Sequence, residues 1–191
     1  MNTIAGQGLI SLSDRRIKCN INDIPDDITP NFLKLRPVAY NKIQTAEFNY
    51  GFIAQEVQQE LPEIITTGVG VIPNIFEVAL SYENGIIKFQ NKKDIKLKVG
   101  DVVKINDTTI PNGNKYKITE VIDDNHFKVD KKINGKDLFI LGTEVDDFLS
   151  INYDYITTIN TKVLQDLYHQ VQKQQEQINL LMQLLEARVR E

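Results

Sequence analysis

The C-terminal part of the chain places apolar residues at a repeat of seven. From Tyr155 to Glu191 neither Pro nor Gly interrupts the sequence, so the pattern predicts one long helix. Seven residues fill the a and d positions of its heptads: Leu164, Leu167, Val171, Gln174, Ile178, Leu181 and Leu185. A third apolar row, at position e, makes the stripe wider than two strands need and favours three or more helices. The alternative is an amphipathic helix that packs on its own domain.

The middle of the chain, from 68 to 149, has short β-type runs between Gly, Asn and Asp turn signals. Strands are predicted over Gly70–Ile72, Phe76–Leu80, Gly85–Phe89, Ile95–Val99, Asp101–Ile105, Tyr116–Val121, His126–Val129 and Leu138–Leu141. The stretch 121–129 has the pattern of a hairpin with Asp-Asp-Asn at its turn. So many closely spaced strands predict a compact β module.

The part from 13 to 37 begins with a loose alternation that predicts one extended strand, or a strand followed by a turn, from Ser13 to Ile24. Cys19 lies in this run and is expected to be a small core residue. Thr29 followed by Pro30 predicts the start of a short helix, with the threonine as its N-cap.

The part from 38 to 66 continues with a strand at Val38–Tyr40, a polar hairpin loop that returns to Tyr50, a helix over 52–61 and a further strand. Tyr40, Tyr50 and Phe52 are candidate core residues. On the helix, Val57 and its apolar neighbours at helical spacing predict a buried face. The whole chain is therefore predicted to be α+β, with a small mixed unit, an all-β module and a long C-terminal helix.

Composition limits the function classes. The hydrophobic content of 41% and the charged content of 25% are those of a soluble globular protein, and the net charge of −4 argues against a general nucleic-acid binder. One cysteine excludes a disulfide within the chain, and no apolar run is long enough for a membrane span. No metal-ligand spacing or phosphate-binding motif is present, so neither metal nor other cofactor is expected.

Candidate chemistry lies near the start, where Ser13 and Lys18 place a hydroxyl and a primary amine five residues apart. Taken alone, this pair is more simply a turn and a solvated lysine. Its weight depends on the motifs that follow it in the chain.

Four strings of residues together resemble a known family. They are Ser13-Asp14-Arg15-Arg16-Ile17-Lys18, Leu33-Lys34-Leu35-Arg36-Pro37-Val38-Ala39-Tyr40, Gly51-Phe52-Ile53-Ala54-Gln55-Glu56-Val57-Gln58 and Leu61-Pro62-Glu63. In this order and spacing they resemble the C-terminal intramolecular chaperone domain of phage tailspikes, tail fibres and neck appendages, the peptidase S74 family. The resemblance covers 13–66 and resumes from Ile151 through the C-terminal helix.

The resemblance implies a domain organisation. Residues 1–12 are expected to be the end of an upstream fibre or stem segment. Residues 13–67 and 150–191 would form the intramolecular chaperone domain with its coiled-coil helix. Family members cross the intervening gap in far fewer residues, so 68–149 is interpreted as an inserted β-rich module.

The resemblance also implies self-cleavage before the motif serine, here at Leu12–Ser13, by a single-turnover Ser-Lys peptidase. Ser13 Oγ follows the scissile carbonyl and can attack it through a five-membered ring. Lys18 must be neutral to accept the hydroxyl proton, which requires a desolvated amine. Residues five apart on a strand face opposite sides, so the chain must turn between them or the lysine must come from another subunit. Asp14, Gln55 and Glu56 are candidate supporting residues.

The implied partners are two further copies of the chain, in a homotrimer, and the upstream fibre segment, with no nucleic acid and no membrane. The protein would be a virion component during assembly in the host cytoplasm, and the domain would be released after cleavage. Two alternatives stay open. One is a non-enzymatic trimerisation or receptor-binding tip of a viral fibre, and the other is a self-cleaving release domain of a regulatory protein.

Overall fold

A computed structural model describes residues 13–107, 113–135 and 137–189. Residues 1–12, including Leu12 of the expected cleavage site, lie outside the described residues. The structure combines β-sheets with a C-terminal helix of 37 residues, so the predicted α+β class is confirmed. The helices and strands are, in order, α1 Ile28–Phe32, β1 Val38–Asn41, β2 Phe48–Gly51, α2 Ala54–Glu60, β3 Ile65–Ile72, β4 Glu77–Val78, β5 Ser81–Glu83, β6 Ile86–Lys88, β7 Val102–Asn106, β8 Asn114–Asp123, β9 His126–Val129, β10 Phe139–Ile151 and α3 Tyr153–Val189.

The strand predicted over Ser13–Ile24 is wrong. The segment instead forms a short 3-10 turn at Arg15–Ile17, and no described strand pairs with the rest of it. Its apolar side chains find no core, since Ile17 and Cys19 are both exposed. The expectation that Cys19 is a core residue is therefore wrong as well. Loose alternation of apolar residues does not make a strand when no neighbouring strand is available to pair with it.

Helix α1 starts two residues earlier than the sequence predicts, with Asp27 rather than Thr29 at the N-cap position. The Thr29 side chain does not cap the helix. Its hydroxyl donates instead to Asp166 Oδ2 on α3 at 2.6 Å. This hydrogen bond is a tertiary contact, and a propensity rule that considers only neighbours in sequence assigns the hydroxyl to the wrong partner.

Strands β1 and β2 form the predicted antiparallel hairpin, with Val38 opposite Gly51. The aromatic residues of the hairpin are not buried as expected. Tyr40 is exposed and Tyr50 is 81% exposed, whereas Phe52, just beyond the hairpin, packs at the edge of a core. The hairpin therefore presents an aromatic surface to solvent.

Helix α2 builds the smaller of two cores. Val57 and Leu61 are buried on it as predicted, and Pro62 ends it. The fully buried members of this core are Val57, Leu61, Ile64, Ile159 and Val163. Since the last two belong to α3, the first three turns of the C-terminal helix complete the core of the N-terminal segment.

The β module has the larger core, and seven of its strands lie in the antiparallel order β3-β10-β7-β8-β9-β6-β5, with β4 pairing β10. The predicted hairpin at 121–129 is confirmed, with β8 and β9 joined around Asp124 and Asn125. The prediction of a strand at Ile95–Val99 is wrong, because this segment is held by loop contacts such as the hydrogen bond from Ile95 N to Asn91 Oδ1 at 2.6 Å. The buried residues are Ile75, Ile87, Phe89, Val103, Ile105, Tyr116, Ile118, Phe127, Val129, Ile133, Leu138 and Ile140.

A two-stranded ribbon joins the two cores. Strand β10 pairs with β3 from Thr143↔Ile72 at the module end to Ile151↔Ile65 at the small-unit end, with a register shift between Val145 and Phe148. Asn152 N then donates to Ile64 O at 2.9 Å, directly before α3 begins. The same two strands therefore leave the small unit and return to it side by side.

Candidate active site

Ser13 and Lys18 are in direct contact. Lys18 Nζ donates to Ser13 Oγ at 2.6 Å. The contact depends on the 3-10 turn between them, in which Ile17 N donates to Asp14 O and Lys18 N donates to Arg15 O, each at 3.1 Å. In an extended strand the side chains of Ser13 and Lys18 would point to opposite faces and could not meet. The 3-10 turn brings them to the same side, so the contact forms within one chain.

Asp14 organises this turn. Its Oδ1 accepts from Arg16 N at 2.8 Å, which is the capping bond of the 3-10 turn. The guanidinium of Arg16 binds the same carboxylate through Nε at 3.0 Å and Nη2 at 2.8 Å. These hydrogen bonds hold the pKa of Asp14 below its usual range and raise that of Arg16.

The Ser13–Lys18 pair is exposed to solvent in the single chain. Ser13 and Lys18 are both exposed, and so are Ile17 and Cys19 beside the lysine. The desolvated lysine that the chemistry requires is therefore not provided by the described residues of one chain. A general base at this position needs a further surface to cover it.

Gln55 and Glu56 do not reach the pair. Glu56 forms an ion pair with Arg36, whose Nε donates to Glu56 Oε2 at 3.1 Å, and this pairing raises the pKa of Arg36. Gln55 is exposed, and its side chain makes no hydrogen bond within the described residues. The Glu56–Arg36 ion pair links α2 to the segment before β1, and nothing in the contacts of either Gln55 or Glu56 ties it to Ser13.

The heptad residues of α3 lie on a free surface. The apolar a and d residues, Leu164, Leu167, Val171, Ile178, Leu181 and Leu185, are between 40% and 62% exposed, and Gln174 is exposed among them. By contrast, Ile159 and Val163, just before them, are buried in the small core. The helix thus changes from an intramolecular contact to an uncovered apolar stripe within one turn.

Sequence reasoning missed a polar cluster between α3 and the segment before α1. Lys162 Nζ lies 2.9 Å from Asp26 Oδ1 and 2.5 Å from Asp166 Oδ1, and Asp166 also accepts from Thr29. The hydrogen bond to Asp166, followed by that to Asp26, raises the pKa of Lys162, and the bonds from Lys162 and Thr29 lower that of Asp166. The spacing of Lys162 and Asp166 on one helix face was the available signal.

Within 13–107, 113–135 and 137–189, no group of three or more His, Cys, Asp or Glu side chains could hold a metal ion. None of the helices described has the length and hydropathy that crossing a membrane requires.

A relative of this chain is a viral protein. The chain is 27% identical over 236 aligned residues to the Uncharacterized protein VP1 of Micromonas pusilla reovirus (isolate Netherlands/2005), an alignment that includes 95% of this chain. The chain spans only 12% of the length of that protein. Residues 13–66, which contain the Ser13–Lys18 turn, α1, β1, β2 and α2, match the family model Peptidase_S74, described as the chaperone of endosialidase, so the family resemblance of the sequence motifs is confirmed over this segment.

Proposed function

We propose that this chain is a trimerising intramolecular chaperone of a viral fibre or spike protein, which releases itself by cutting its own Leu12–Ser13 bond. The observation that carries the proposal is the contact between Lys18 Nζ and Ser13 Oγ inside the segment that matches the chaperone family. The viral relative supports the viral setting. In this proposal the domain acts during assembly of the virion in the host cytoplasm and then leaves.

The cleavage is an acyl transfer followed by hydrolysis. Ser13 Oγ attacks the carbonyl carbon of Leu12, a bond forms between them, and the bond from that carbon to the Ser13 nitrogen breaks. The hydroxyl proton passes to the neutral Lys18 amine and then to the departing nitrogen, which becomes the new amino terminus. Water hydrolyses the resulting ester, so that Leu12 ends in a carboxylate and Ser13 regains its hydroxyl. The five-membered ring makes the attack intramolecular, which lowers the barrier by several kcal/mol.

Trimerisation supplies what one chain lacks. The uncovered stripe on α3 has the width of a three-helix interface, and three chains held together would bring neighbouring surfaces near the exposed Ser13–Lys18 turn. Covering the amine favours its neutral form, so cleavage would follow assembly. A C-terminal trimer also raises the local concentration of the upstream segments, whose non-local β-structure nucleates slowly. Cleavage afterwards removes the template and leaves a kinetically stable fibre.

The decisive experiment is mass spectrometry of the full chain after incubation, combined with light scattering. We expect a fragment that begins at Ser13 and a trimeric mass. Ser13→Ala and Lys18→Ala should abolish the fragment and keep the trimer. Lys18→Arg is the matched control, because it keeps a cation of similar length that cannot act as a base at neutral pH.

Two results would contradict the proposal separately. A wild-type chain that stays intact on prolonged incubation as a trimer would remove the peptidase. A monomeric mass would remove the trimeric chaperone.

One observation favours a second candidate, a non-enzymatic tip that binds a receptor. The β module closes a core of its own and is joined to the small unit by a single ribbon, as expected for an inserted module of separate function. A stable, uncleaved trimer that retains residues 1–12 would support this candidate over the peptidase.

A further inference from the structure

We infer that Asp14 and Arg16 are positioning residues for the cleavage: Asp14 holds the turn that brings Lys18 to Ser13, and Arg16 keeps the Asp14 carboxylate away from the Lys18 amine. The inference rests on the proposed function. It assigns roles to two side chains that do not themselves touch the reacting atoms.

The first role follows from distance. In an extended chain, residues five apart are separated by about 16 Å and face opposite sides. The contact of 2.6 Å between Lys18 Nζ and Ser13 Oγ therefore exists only while the 3-10 turn is formed. No described strand pairs with this segment and no buried residue anchors it, so its hydrogen bonds must come from within. The Asp14 carboxylate supplies the bond to Arg16 N that fixes the turn.

The second role follows from charge. The carboxylate of Asp14 belongs to the same turn as the Lys18 amine, and a free carboxylate there would compete with Ser13 Oγ for it. A partner carboxylate favours the ammonium form of lysine, which cannot accept the hydroxyl proton. Arg16 prevents this pairing by occupying both oxygens, Nε on Oδ1 and Nη2 on Oδ2. Lys18 is then left with the serine hydroxyl as its hydrogen-bond partner.

Few charged groups surround the Lys18 amine, so the contribution of each can be tested by substitution. The titratable and charged groups of the turn are Asp14, Arg15, Arg16, Lys18 and Cys19, and no ion pair within the described residues joins them to another element. The ion pair itself is exposed, with 88% of the Arg16 side chain accessible, so it adds little to folding stability. Its effect should appear in the geometry and protonation of the pair rather than in the stability of the protein.

The experiment compares Arg16→Ala with Arg15→Ala. The two arginines are neighbours in one turn and their removal changes the net charge equally, but the Arg15 side chain forms no hydrogen bond or ion pair within the described residues. The full chain is purified in denaturant, diluted into buffers from acid to alkaline pH, and followed by mass spectrometry for the loss of residues 1–12. We expect Arg16→Ala to move the pH dependence of cleavage toward alkaline pH and to slow cleavage at neutral pH by roughly threefold to tenfold. Arg15→Ala should match the wild type in both.

Asp14 variants separate the two roles. Asp14→Ala removes the turn cap and should slow cleavage by roughly fivefold at every pH. Asp14→Asn keeps an oxygen that can accept from Arg16 N, so it should retain most of the rate. The double variant Asp14→Asn with Arg16→Ala removes the competing charge and should restore the wild-type pH profile. Light scattering confirms that every variant assembles to the same mass.

The outcomes are distinguishable. If the wild type cleaves and Arg16→Ala has the pH profile of Arg15→Ala, the inference is overturned and the proposed function stands. If Asp14→Asn is as slow as Asp14→Ala, the capping role is overturned. If the wild type yields no fragment, the proposed function fails and the inference fails with it.

Discussion

The two cores of this chain differ in how far one copy completes them. The β module buries twelve residues among its own strands, including Phe127 and Ile140 with no exposed surface. The small unit buries five, two of them from α3, and leaves the apolar residues of that helix from Leu164 onward and the hairpin residues Phe48 and Tyr50 exposed to solvent.

This difference separates two kinds of sequence. In the β module, twelve apolar residues are buried in a core that a single chain completes. In the small unit many are exposed together, and large exposed apolar surfaces on soluble proteins mark interaction sites. The proposed active site lies in the second unit, on a turn that no described element covers. The contrast therefore predicts that substitutions in one unit affect stability, and that substitutions in the other affect assembly and cleavage.

The largest expected effect is on assembly. Leu181→Asp places a carboxylate at a d position, and in a trimer three such charges would share one layer, each without a partner. We expect the variant to be monomeric in light scattering at concentrations at which the wild type is trimeric. Gln183→Asp, on the opposite helix face, is the matched control and should leave the mass unchanged. A trimeric Leu181→Asp chain would show that the stripe does not form the interface.

The next effect is on the stability of the β module. Phe127→Ala removes a fully buried ring from the centre of the sheet and should lower the free energy of unfolding by about 3–5 kcal/mol. Urea denaturation followed by circular dichroism measures it. Ile122→Ala truncates a half-exposed side chain on the neighbouring strand β8 and should lower the free energy of unfolding by well under about 1 kcal/mol. Loss of the trimer in Phe127→Ala would contradict the separation of the two units.

A smaller effect is expected where α1 meets α3. Thr29→Val removes the hydroxyl that donates to Asp166 while keeping the shape of the side chain. Amide hydrogen exchange should become faster in peptides from α1 and stay unchanged in peptides from β8. Thr157→Val is the control, since that hydroxyl bonds only to the backbone of its own helix, at Tyr153 O. Equal exchange in the two variants would argue that the Thr29 bond does not hold α1.

The smallest effect concerns pH. The pKa of Asp166 is lowered by the hydrogen bonds from Lys162 and Thr29, so its stabilising contribution is present above its ordinary value of 3.8 and is lost as the pH falls below that value through the lower folded pKa. The urea midpoint of the wild type should therefore fall below about pH 3.8 more steeply than that of Asp166→Asn. Near neutral pH the urea midpoints of the wild type and of Asp166→Asn should differ by an amount that does not change with pH. Parallel curves throughout the acid range would contradict this account.

Patterns that depend on local sequence were predicted well. Helix α2, the β1–β2 hairpin, the turn between β8 and β9 and the length of α3 all follow from periodicity, Pro and turn residues. The segment from Ser13 to Ile24 was misread because alternation records only which side chains are apolar, and whether a strand forms depends on a neighbouring strand. Thr29 was misassigned because its partner, Asp166, is more than a hundred residues away.

The contact between Ser13 and Lys18 was predictable, whereas the supporting roles expected for Gln55 and Glu56 were not found, since neither side chain reaches the pair. The Ser13–Lys18 pair was identified from the motif, and its need for a turn followed from strand geometry. The Asp14–Arg16 interaction that fixes this turn could not be read from the sequence, since the side chain of Arg16 could equally reach solvent. The exposure of Tyr50 and Cys19 was also missed, because hydrophobic character alone does not distinguish a core residue from an exposed apolar residue.

The β3–β10 ribbon is a position at which the β module could be exchanged for another domain. Gly68 lies opposite Phe148 and Thr67 opposite Leu149, so the proposed insert begins and ends at positions about 5 Å apart on paired strands. A tight turn could replace the whole module without moving the small unit, and any domain whose termini are adjacent strands could take its place. Such a junction would allow the β module to be exchanged while the small unit keeps its structure.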